Sequence, residues 1–358
     1  SGDSNSNHFD REVIKSKTFS NKIIITNGFN GSGKTLFSSL VSSFQNVEIL
    51  TYVYELEWLS TFLYTKEINR KTFKKFVLIY LDHITYNQFL GRNVNPKFSD
   101  LSSIFKSNKL IKYLLRILNA DENKVVSNIR KDQPILSLVT NHMLPFYDDY
   151  YYSLKDRLIF VETVRDPLYM FNQMLVLQDQ IISNENLKYK DFTFKTFSNG
   201  TFRSFLDYYS DDKVFNDLNH NNSKYVVISF LERAFDFYFN FFSSQSNYSS
   251  LMLVPFEPLI FNPKKYLKKI ISKADLKWSK SIDKAMKNQK VPRKLISHGK
   301  NLKVYRRFKG NTGSNYYSTL DEERKEMLNN IRKIINDDNV YTRLVKLSKK
   351  YNAWIKDY

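Results

Sequence analysis

Cysteine is absent from this sequence of 358 residues. Disulfide bonds, thiolate zinc sites and cysteine nucleophiles are therefore excluded, and a reducing compartment such as the cytoplasm is the expected location. No run of about 18 uncharged apolar residues occurs, so the sequence predicts no membrane-spanning helix. Glycine and proline are also sparse, at 9 and 8 residues. Without a repeat or a low-complexity linker, we expect one domain at residues 21–358, preceded by a flexible N-terminal tail at 1–20.

Acidic residues are in deficit, with 36 Asp and Glu against 55 Lys and Arg, which gives a net charge of +19. Such a field attracts anionic partners: nucleotides, nucleic acids, acidic glycans or anionic lipid surfaces. The basic residues are concentrated between residues 263 and 310, a segment with 17 Lys or Arg and only two acidic residues, both Asp. A solvated basic helix face explains that concentration equally well, so the charge alone does not select a function.

Short apolar segments rich in β-branched residues alternate with longer stretches of helical spacing. The predicted strands are 22–27, 47–53, 134–140, 157–164 and 251–254. Helices are expected over most of 60–130, over an insert at 168–245, and after residue 263. This alternation predicts an α/β fold of three layers, in which a central parallel sheet of four or five strands is flanked by helices.

A glycine-rich loop links the first strand to the first helix. Gly28, four further residues, and then Gly33-Lys34-Thr35 match the phosphate-loop (P-loop) pattern. In this context the glycines allow a tight turn whose backbone N–H groups point at phosphate oxygens, and the lysine adds a positive charge. The candidate nucleotide-binding residues of the loop are Asn30, Gly31, Ser32, Gly33, Lys34 and Thr35.

Two further features bear on what the loop binds. A triphosphate enzyme needs an acidic residue to hold Mg²⁺ together with Thr35, and Asp82 follows an apolar run that suits a strand. Residues 71–91 also fit one helix, so we take Asp82 as a helix residue and keep the Mg²⁺ interpretation as an alternative. Arg165 ends the fourth predicted strand and precedes Asp166-Pro167. An arginine at that strand end lies in the crevice where α/β folds bind ligands.

Five segments, in order along residues 22–313, together resemble the PAPS-dependent sulfotransferase family. They are the phosphate loop, residues 137–145 with His142, Arg165-Asp166-Pro167, residues 253–259 with Glu257, and the basic loop 305–313 with Lys309-Gly310. The resemblance implies transfer of a sulfuryl group from PAPS (3′-phosphoadenosine 5′-phosphosulfate) to an acceptor hydroxyl or amine, with no metal required.

The resemblance also implies roles for single residues. Lys34 and Thr35 would stabilise the departing nucleotide, and His142 would be the general base, with Glu55 or Glu57 as its rival. The 3′-phosphate would be bound by Arg165, Gln173, Arg307, Lys309 and Gly310. The sequence departs from the family at Gln173, where a serine is common, at Phe308, where an arginine is expected, and in the placement of Lys34.

Partners follow from the charge and the 16% aromatic content. We expect an anionic glycan or glycolipid as acceptor, peripheral contact with an anionic membrane surface, and no nucleic acid. Two other hypotheses stay open: a Mg²⁺–ATP-dependent P-loop kinase that uses Thr35 and Asp82, and a basic nucleic-acid-binding protein.

Overall fold

The computed structural model describes residues 13–15, 17–119, 121–183, 196–198, 201–203, 208–209, 222–244, 249–299 and 317–358. The strands of the described residues are β1 Lys22–Gly28, β2 Thr51–Tyr52, β3 Ile135–Val139, β4 Leu158–Val164, β5 Thr196–Ser198, β6 Thr201–Arg203 and β7 Leu251–Pro255. The central sheet has the order β2-β3-β1-β4-β7, and all of its strands are parallel. The predicted α/β class with a central parallel sheet of four or five strands is confirmed, and the sheet has five.

Helices pack on both faces of this sheet. The first group is α1 Lys34–Val41, α2 Tyr54–Tyr64, α3 Arg70–Phe89, α4 Leu110–Asn119, α5 Glu122–Asp132, α6 Tyr147–Leu154 and α7 Pro167–Ser183. The second group is α8 Ser223–Ser244, α9 Phe256–Phe261, α10 Pro263–Ala274, α11 Lys280–Asn288, α12 Leu320–Ile335 and α13 Asp338–Trp354. None of the described helices is both long and apolar enough to cross a bilayer.

The sequence of β1 shows why the core has two halves. Ile23 and Ile25 pack into one apolar cluster with α3, α6 and α8, whereas Ile24 packs into another with α1, α10 and α11. Successive side chains of a strand point to opposite faces, and all three isoleucines are fully buried. The run is therefore apolar throughout, as expected for a strand covered on both sides.

Three sequence predictions need correction. The span 168–245, expected to be helical, contains the antiparallel ribbon of β5 and β6. The second strand is much shorter than 47–53, with one isolated bridge from Val47 to Ile135. Phe19 and Ser20 fall within the predicted flexible tail but are held against α3: the Phe19 N–H donates to Asp82 (2.8 Å), and the hydroxyls of Ser20 and Thr85 are 2.6 Å apart.

Asp82 lies inside α3, as the helical interpretation of its segment requires. Its carboxylate is also 2.5 Å from the Lys15 ammonium. The carboxylate thus fixes the chain that leads into β1, and it does not follow a strand end where a phosphate-loop enzyme would hold Mg²⁺.

Candidate nucleotide-binding and catalytic site

The phosphate loop is shaped by two glycines that no other residue could replace without strain. Gly31 and Gly33 have φ of 84° and 100°, in the left-handed region. A Cβ at Gly31 would lie 2.1 Å from the Gln173 Oε1, and one at Gly33 would lie 2.4 Å from the Phe256 ring. The loop is therefore a backbone-lined cradle, and its Gly33 forms the N-terminal boundary of α1.

The remaining loop residues tie the cradle to the sheet. The Ser32 hydroxyl lies 2.7 Å from that of Thr163 on β4, which in turn donates to the Asn27 carbonyl (2.9 Å). Asn30 is half-buried in the loop. The Thr35 hydroxyl is 3.5 Å from the Tyr52 hydroxyl at the end of β2.

Lys34 is buried under the loop that it follows. Its ammonium donates to the carbonyls of Gly28 and Phe29, both at 2.8 Å. Burial lowers the pKa of Lys34 to about 8, against the opposing effect of the nearby Glu57 and Glu162 carboxylates. A cation held here, at the N-terminus of α1, adds to the positive potential of the loop N–H groups.

Arg165 and Gln173 both meet the loop at Gly31. The guanidinium of Arg165 donates from Nη1 to the Gly31 carbonyl (3.1 Å), while the Gln173 amide packs on the Gly31 backbone. The Arg165 guanidinium also stacks on Phe256, 4.3 Å from the ring centre. Its buried Nε makes no hydrogen bond within the described part of the chain and lies 4.0 Å from the Glu257 carboxylate.

Asp166 anchors the start of α7 directly beside Arg165. Its Oδ1 accepts from the Leu168 N–H (2.9 Å) and caps the helix. Its Oδ2 accepts from Arg324 of α12 (3.1 Å) and from Asn352 of α13 (2.8 Å). The C-terminal helices therefore hold the segment that carries Arg165.

Glu257 supports the same segment from α9. One carboxylate oxygen accepts from the Asp166 N–H (3.1 Å) and lies 4.0 Å from the Arg165 Nε; the other accepts from the Tyr351 hydroxyl (2.8 Å). Burial, with Asp166 close by, raises the pKa of Glu257 to about 7. Its contacts are those of a positioning group for Arg165.

His142 follows β3 with a left-handed φ of 58°. Its ring contacts Phe29, with ring centres 4.9 Å apart, and the rings of Tyr209 and Phe230 lie 6.1 and 6.2 Å away. Burial, and then the Lys34 charge, lower the pKa of His142 to about 3. The imidazole is neutral at physiological pH but is a weak base in this environment.

Glu57 and Glu55 both lie on α2 but face different surroundings. Glu57 is half-buried, and one oxygen accepts from the backbone N–H (2.7 Å) and the side-chain amide (2.9 Å) of Asn141. Burial raises the pKa of Glu57 to about 7, opposed by Asn141 and Lys34. Glu55 is exposed, and its carboxylate accepts from the Tyr80 hydroxyl of α3 (2.5 Å). The structure thus joins Glu57, rather than Glu55, to the turn that carries His142.

A buried network that sequence reasoning missed lies beneath these groups. The Asn27 side-chain amide of β1 donates to Glu162 of β4 (2.6 Å), and its Oδ1 accepts from the Thr140 hydroxyl and the Met143 N–H, both at 3.0 Å. Tyr238 of α8 donates to the same glutamate (2.8 Å). Burial raises the pKa of Glu162 to about 7. Through Asn27, this network fixes the turn at 140–143 that carries His142. The signal in the sequence was two polar residues inside otherwise apolar strands.

Some predicted residues cannot be placed. Arg307, Lys309 and Gly310 lie outside the described residues. Within the described ranges, no three His, Asp or Glu side chains are grouped as metal ligands.

Comparison with known proteins gives no family model and no curated protein that matches this chain. Solved structures of similar fold include the sulfotransferase domain of the Synechococcus PCC 7002 olefin synthase, at 10% identity and TM-score 0.39, over 94% of this chain and 97% of that one. Others are the sulfotransferase domain of the curacin biosynthetic pathway (13% identity, TM-score 0.37, 87% and 97% covered) and the Mycobacterium tuberculosis H37Rv sulfotransferase STF1 (12%, 0.36, 75% and 71%). TM-scores and identities of this size carry no argument about the activity of this chain, which has to be argued from its own residues.

Proposed function

We propose that the protein is a sulfotransferase that moves the sulfuryl group of PAPS to an acceptor hydroxyl or amine. One observation carries the proposal: Arg165 donates to the Gly31 carbonyl, which brings the Arg-Asp-Pro segment against the phosphate loop. The two segments would then offer adjoining anion sites. PAPS has phosphate groups at both the 5′ and the 3′ position, and it requires two adjoining anion sites of this kind.

The loop and Arg165 would bind different ends of the donor. Backbone N–H groups of residues 30–35 and the Lys34 ammonium would hold the 5′-phosphosulfate at the N-terminus of α1. Arg165 and Gln173 would hold the 3′-phosphate, because the Arg165 Nη1 and the Gln173 amide both lie against the loop at Gly31. Arg307, Lys309 and Gly310 are proposed to complete the 3′-phosphate site on the strength of the sequence resemblance alone.

The chemistry is an in-line displacement at sulfur. The acceptor oxygen or nitrogen forms a bond to sulfur while the bond from sulfur to the bridging phosphate oxygen breaks, and PAP (3′-phosphoadenosine 5′-phosphate) leaves. Negative charge grows on that phosphate oxygen, so Lys34 and the loop N–H groups stabilise the transition state more than the ground state. The proton of the acceptor passes to a base.

Glu57 is the base in this proposal. A catalytic base works best when its pKa is close to the operating pH, and the pKa of Glu57 is about 7 whereas that of His142 is about 3. Asn141 holds the carboxylate, and the neutral His142 ring beside Lys34 helps to orient the acceptor. Glu55, which bonds to Tyr80, takes no part in the chemistry.

The acceptor is proposed to be an anionic glycan or a glycolipid headgroup, and a reducing compartment suits a chain without cysteine. Exposed lysines on α10 and α11, which pack on the same side of the sheet as α1, give a basic surface that would attract such an acceptor. They include Lys264, Lys265, Lys268, Lys269, Lys280, Lys284 and Lys287.

Ligand-induced thermal stabilisation by PAP, ADP and ATP, each with and without Mg²⁺, tests this proposal. We expect PAP to stabilise the protein most and without metal, because its 3′-phosphate engages Arg165. Replacement of the buried Lys34 in Lys34→Ala should reduce that stabilisation, whereas Lys71→Ala, on the exposed side of α3, serves as a matched control and should leave it unchanged. A preference for ATP that requires Mg²⁺ would contradict the proposal and favour the kinase.

A further inference from the structure

Helix α4 directs its apolar side to solvent and its charged side to the protein, the reverse of an ordinary surface helix. Its apolar residues face solvent, with exposed fractions of 73% for Ile111 and 75% for Leu118. Leu114, Leu115 and Ile117 are exposed as well. A surface helix normally buries such residues and exposes its charged ones, so this arrangement requires a cause.

The cause is a buried carboxylate under the helix. Glu48 is fully buried. Its carboxylate accepts two hydrogen bonds from Arg116 (2.8 and 3.1 Å), one from Lys112 (3.1 Å) and one from the Tyr113 hydroxyl (3.0 Å). Just before the helix, the Lys109 ammonium donates to the backbone carbonyl of Phe44 (3.0 Å). Rolling the helix to bury its leucines would leave the Glu48 charge unpaired, which is costly. The outward orientation is therefore built into the fold.

The exposed apolar surface continues into the preceding segment. Phe98 and Phe105 stack on each other with ring centres 4.1 Å apart, and both are exposed. Exposed lysines, Lys97 and Lys106, directly adjoin the two rings in the sequence. We call this surface the α4 face and define it by the residues Phe98, Phe105, Ile111, Leu114, Leu115 and Leu118.

The charge around the α4 face indicates which kind of partner would bind there. Of the five Lys or Arg in residues 97–118, Lys97 and Lys106 are exposed, whereas the other three are directed at Glu48 and at backbone carbonyls. Asp100 is the one acidic residue of this segment, and the whole chain carries +19. A second copy would bring the same positive charge to the face, which disfavours self-association. Apolar and aromatic side chains surrounded by lysines suit a bilayer interface, where the apolar groups enter the acyl boundary and the lysines meet anionic headgroups.

We propose that the α4 face docks the protein on the surface of an anionic lipid bilayer. Glu48 lies beside the amino end of β3, because its N–H donates to the Ile135 carbonyl, whereas the phosphate loop and Arg165 follow the carboxyl ends of β1 and β4. The segment that carries Phe98 lies closer to the nucleotide site, because Asp100 is near enough to add to the effect of burial in raising the pKa of Tyr52, whose hydroxyl is 3.5 Å from that of Thr35. The docking proposal does not rest on the proposed transfer reaction.

Vesicle flotation tests the proposal with the intact chain. The probes are phosphatidylcholine vesicles with and without about 30% phosphatidylserine, a composition that gives a negative surface potential. The variant Ile111→Ser/Leu118→Ser removes two highly exposed apolar side chains of the α4 face. Phe76→Ser/Ile79→Ser removes two apolar side chains from α3 that are 52% and 54% exposed, and it serves as the control. A single variant outside α4, Phe98→Ser, tests the same face without altering the helix.

We expect the wild type and the α3 control to float with anionic but not with neutral vesicles, and the α4 variant to bind about tenfold or more weakly. Phe98→Ser should weaken binding to a smaller extent, and all variants should keep the melting temperature of the wild type. No flotation of the wild type would overturn the proposal. So would equal binding by the α4 variant, which indicates attraction by charge alone, or a dimer of the wild type that the α4 variant abolishes.

Discussion

At the scale of single residues, the site contains a buried lysine and two buried carboxylates whose protonation a bound anion would change. Lys34 has a pKa lowered to about 8, and Glu57 and Glu162, both close enough to affect it, have pKa values raised to about 7. Each shift has burial as its largest cause. A negatively charged donor beside Lys34 would favour its ammonium form and the protonated forms of both carboxylates.

Replacement of Glu57 tests the assignment of the base. Glu57 is a base only when deprotonated, and its pKa is about 7 before the donor binds. Because a bound donor favours the protonated carboxylate, wild-type turnover should rise as the pH increases from about 7 upwards. In Glu57→Gln we expect kcat to fall by about 10²–10⁴-fold and the rise around neutral pH to disappear. The measurement is kcat against pH with PAPS and an acceptor obtained by screening glycans.

Glu55→Gln is the control from the same helix and should behave as the wild type, because Glu55 is exposed and faces Tyr80. PAP affinity should be preserved in both variants. The assignment fails if Glu57→Gln keeps the pH-dependent rise while His142→Gln loses it.

The sequence allowed part of this site to be predicted. Gly31, Gly33, Lys34 and Arg165 were identified because their roles depend on local patterns, a loop after one strand and an arginine after another. The choice between Glu55 and Glu57 was open. The two residues are two positions apart, so their side chains point about 200° apart around the helix axis. Only the packing of α2 shows which one contacts Asn141. The Glu162 network was missed because it joins β1, the turn after β3, β4 and α8, which lie far apart in the sequence.

At the scale of elements, helix α4 is oriented by charge rather than by its apolar side. Glu48 has a pKa lowered to about 2: burial opposes its ionisation, but Arg116, Lys112 and Lys109 outweigh it. A carboxylate with a depressed pKa stabilises the fold above its ordinary pKa, and this stabilisation is lost as the pH falls towards about 2.

The variant Glu48→Gln should therefore be strongly destabilised. It leaves the buried cations without a carboxylate, for which we expect a loss of about 3–5 kcal/mol in the free energy of unfolding at neutral pH. Urea denaturation followed by circular dichroism measures it, and Glu122→Gln, at an exposed position on α5, should show no measurable change. The difference from the wild type should shrink below pH 4.5, the ordinary pKa of Glu48. A neutral-pH stability equal to that of the wild type would contradict this role for the cluster.

Elements were predicted well where the pattern was local. Strands β1, β3, β4 and β7 are apolar runs of the expected length, and α3 was recognised as an alternative to a strand around Asp82. The orientation of α4 could not be predicted, because its amphipathic pattern alone favours burying the leucines and Glu48 lies more than 60 residues earlier. The β5–β6 ribbon was missed within a span whose composition favours helix.

At the scale of the whole molecule, the two proposed surfaces are built on one sheet. The phosphate loop, Arg165 and Glu57 follow the carboxyl ends of strands, whereas Glu48, under α4, lies beside the amino end of β3. The segment with Phe98 links the two regions, because Asp100 adds to the effect of burial in raising the pKa of Tyr52, whose hydroxyl is 3.5 Å from that of Thr35.

The central claim is that Arg165 recognises a 3′-phosphate next to the phosphate loop. The most direct test is calorimetric titration of PAP and of adenosine 5′-phosphate, which lacks the 3′-phosphate, into the wild type and Arg165→Ala. We predict that the variant loses about 1.5–3 kcal/mol of binding free energy for PAP and little for adenosine 5′-phosphate. Arg70→Ala, an exposed arginine on α3, should change neither. Equal losses for the two nucleotides, or none for PAP, would contradict the account.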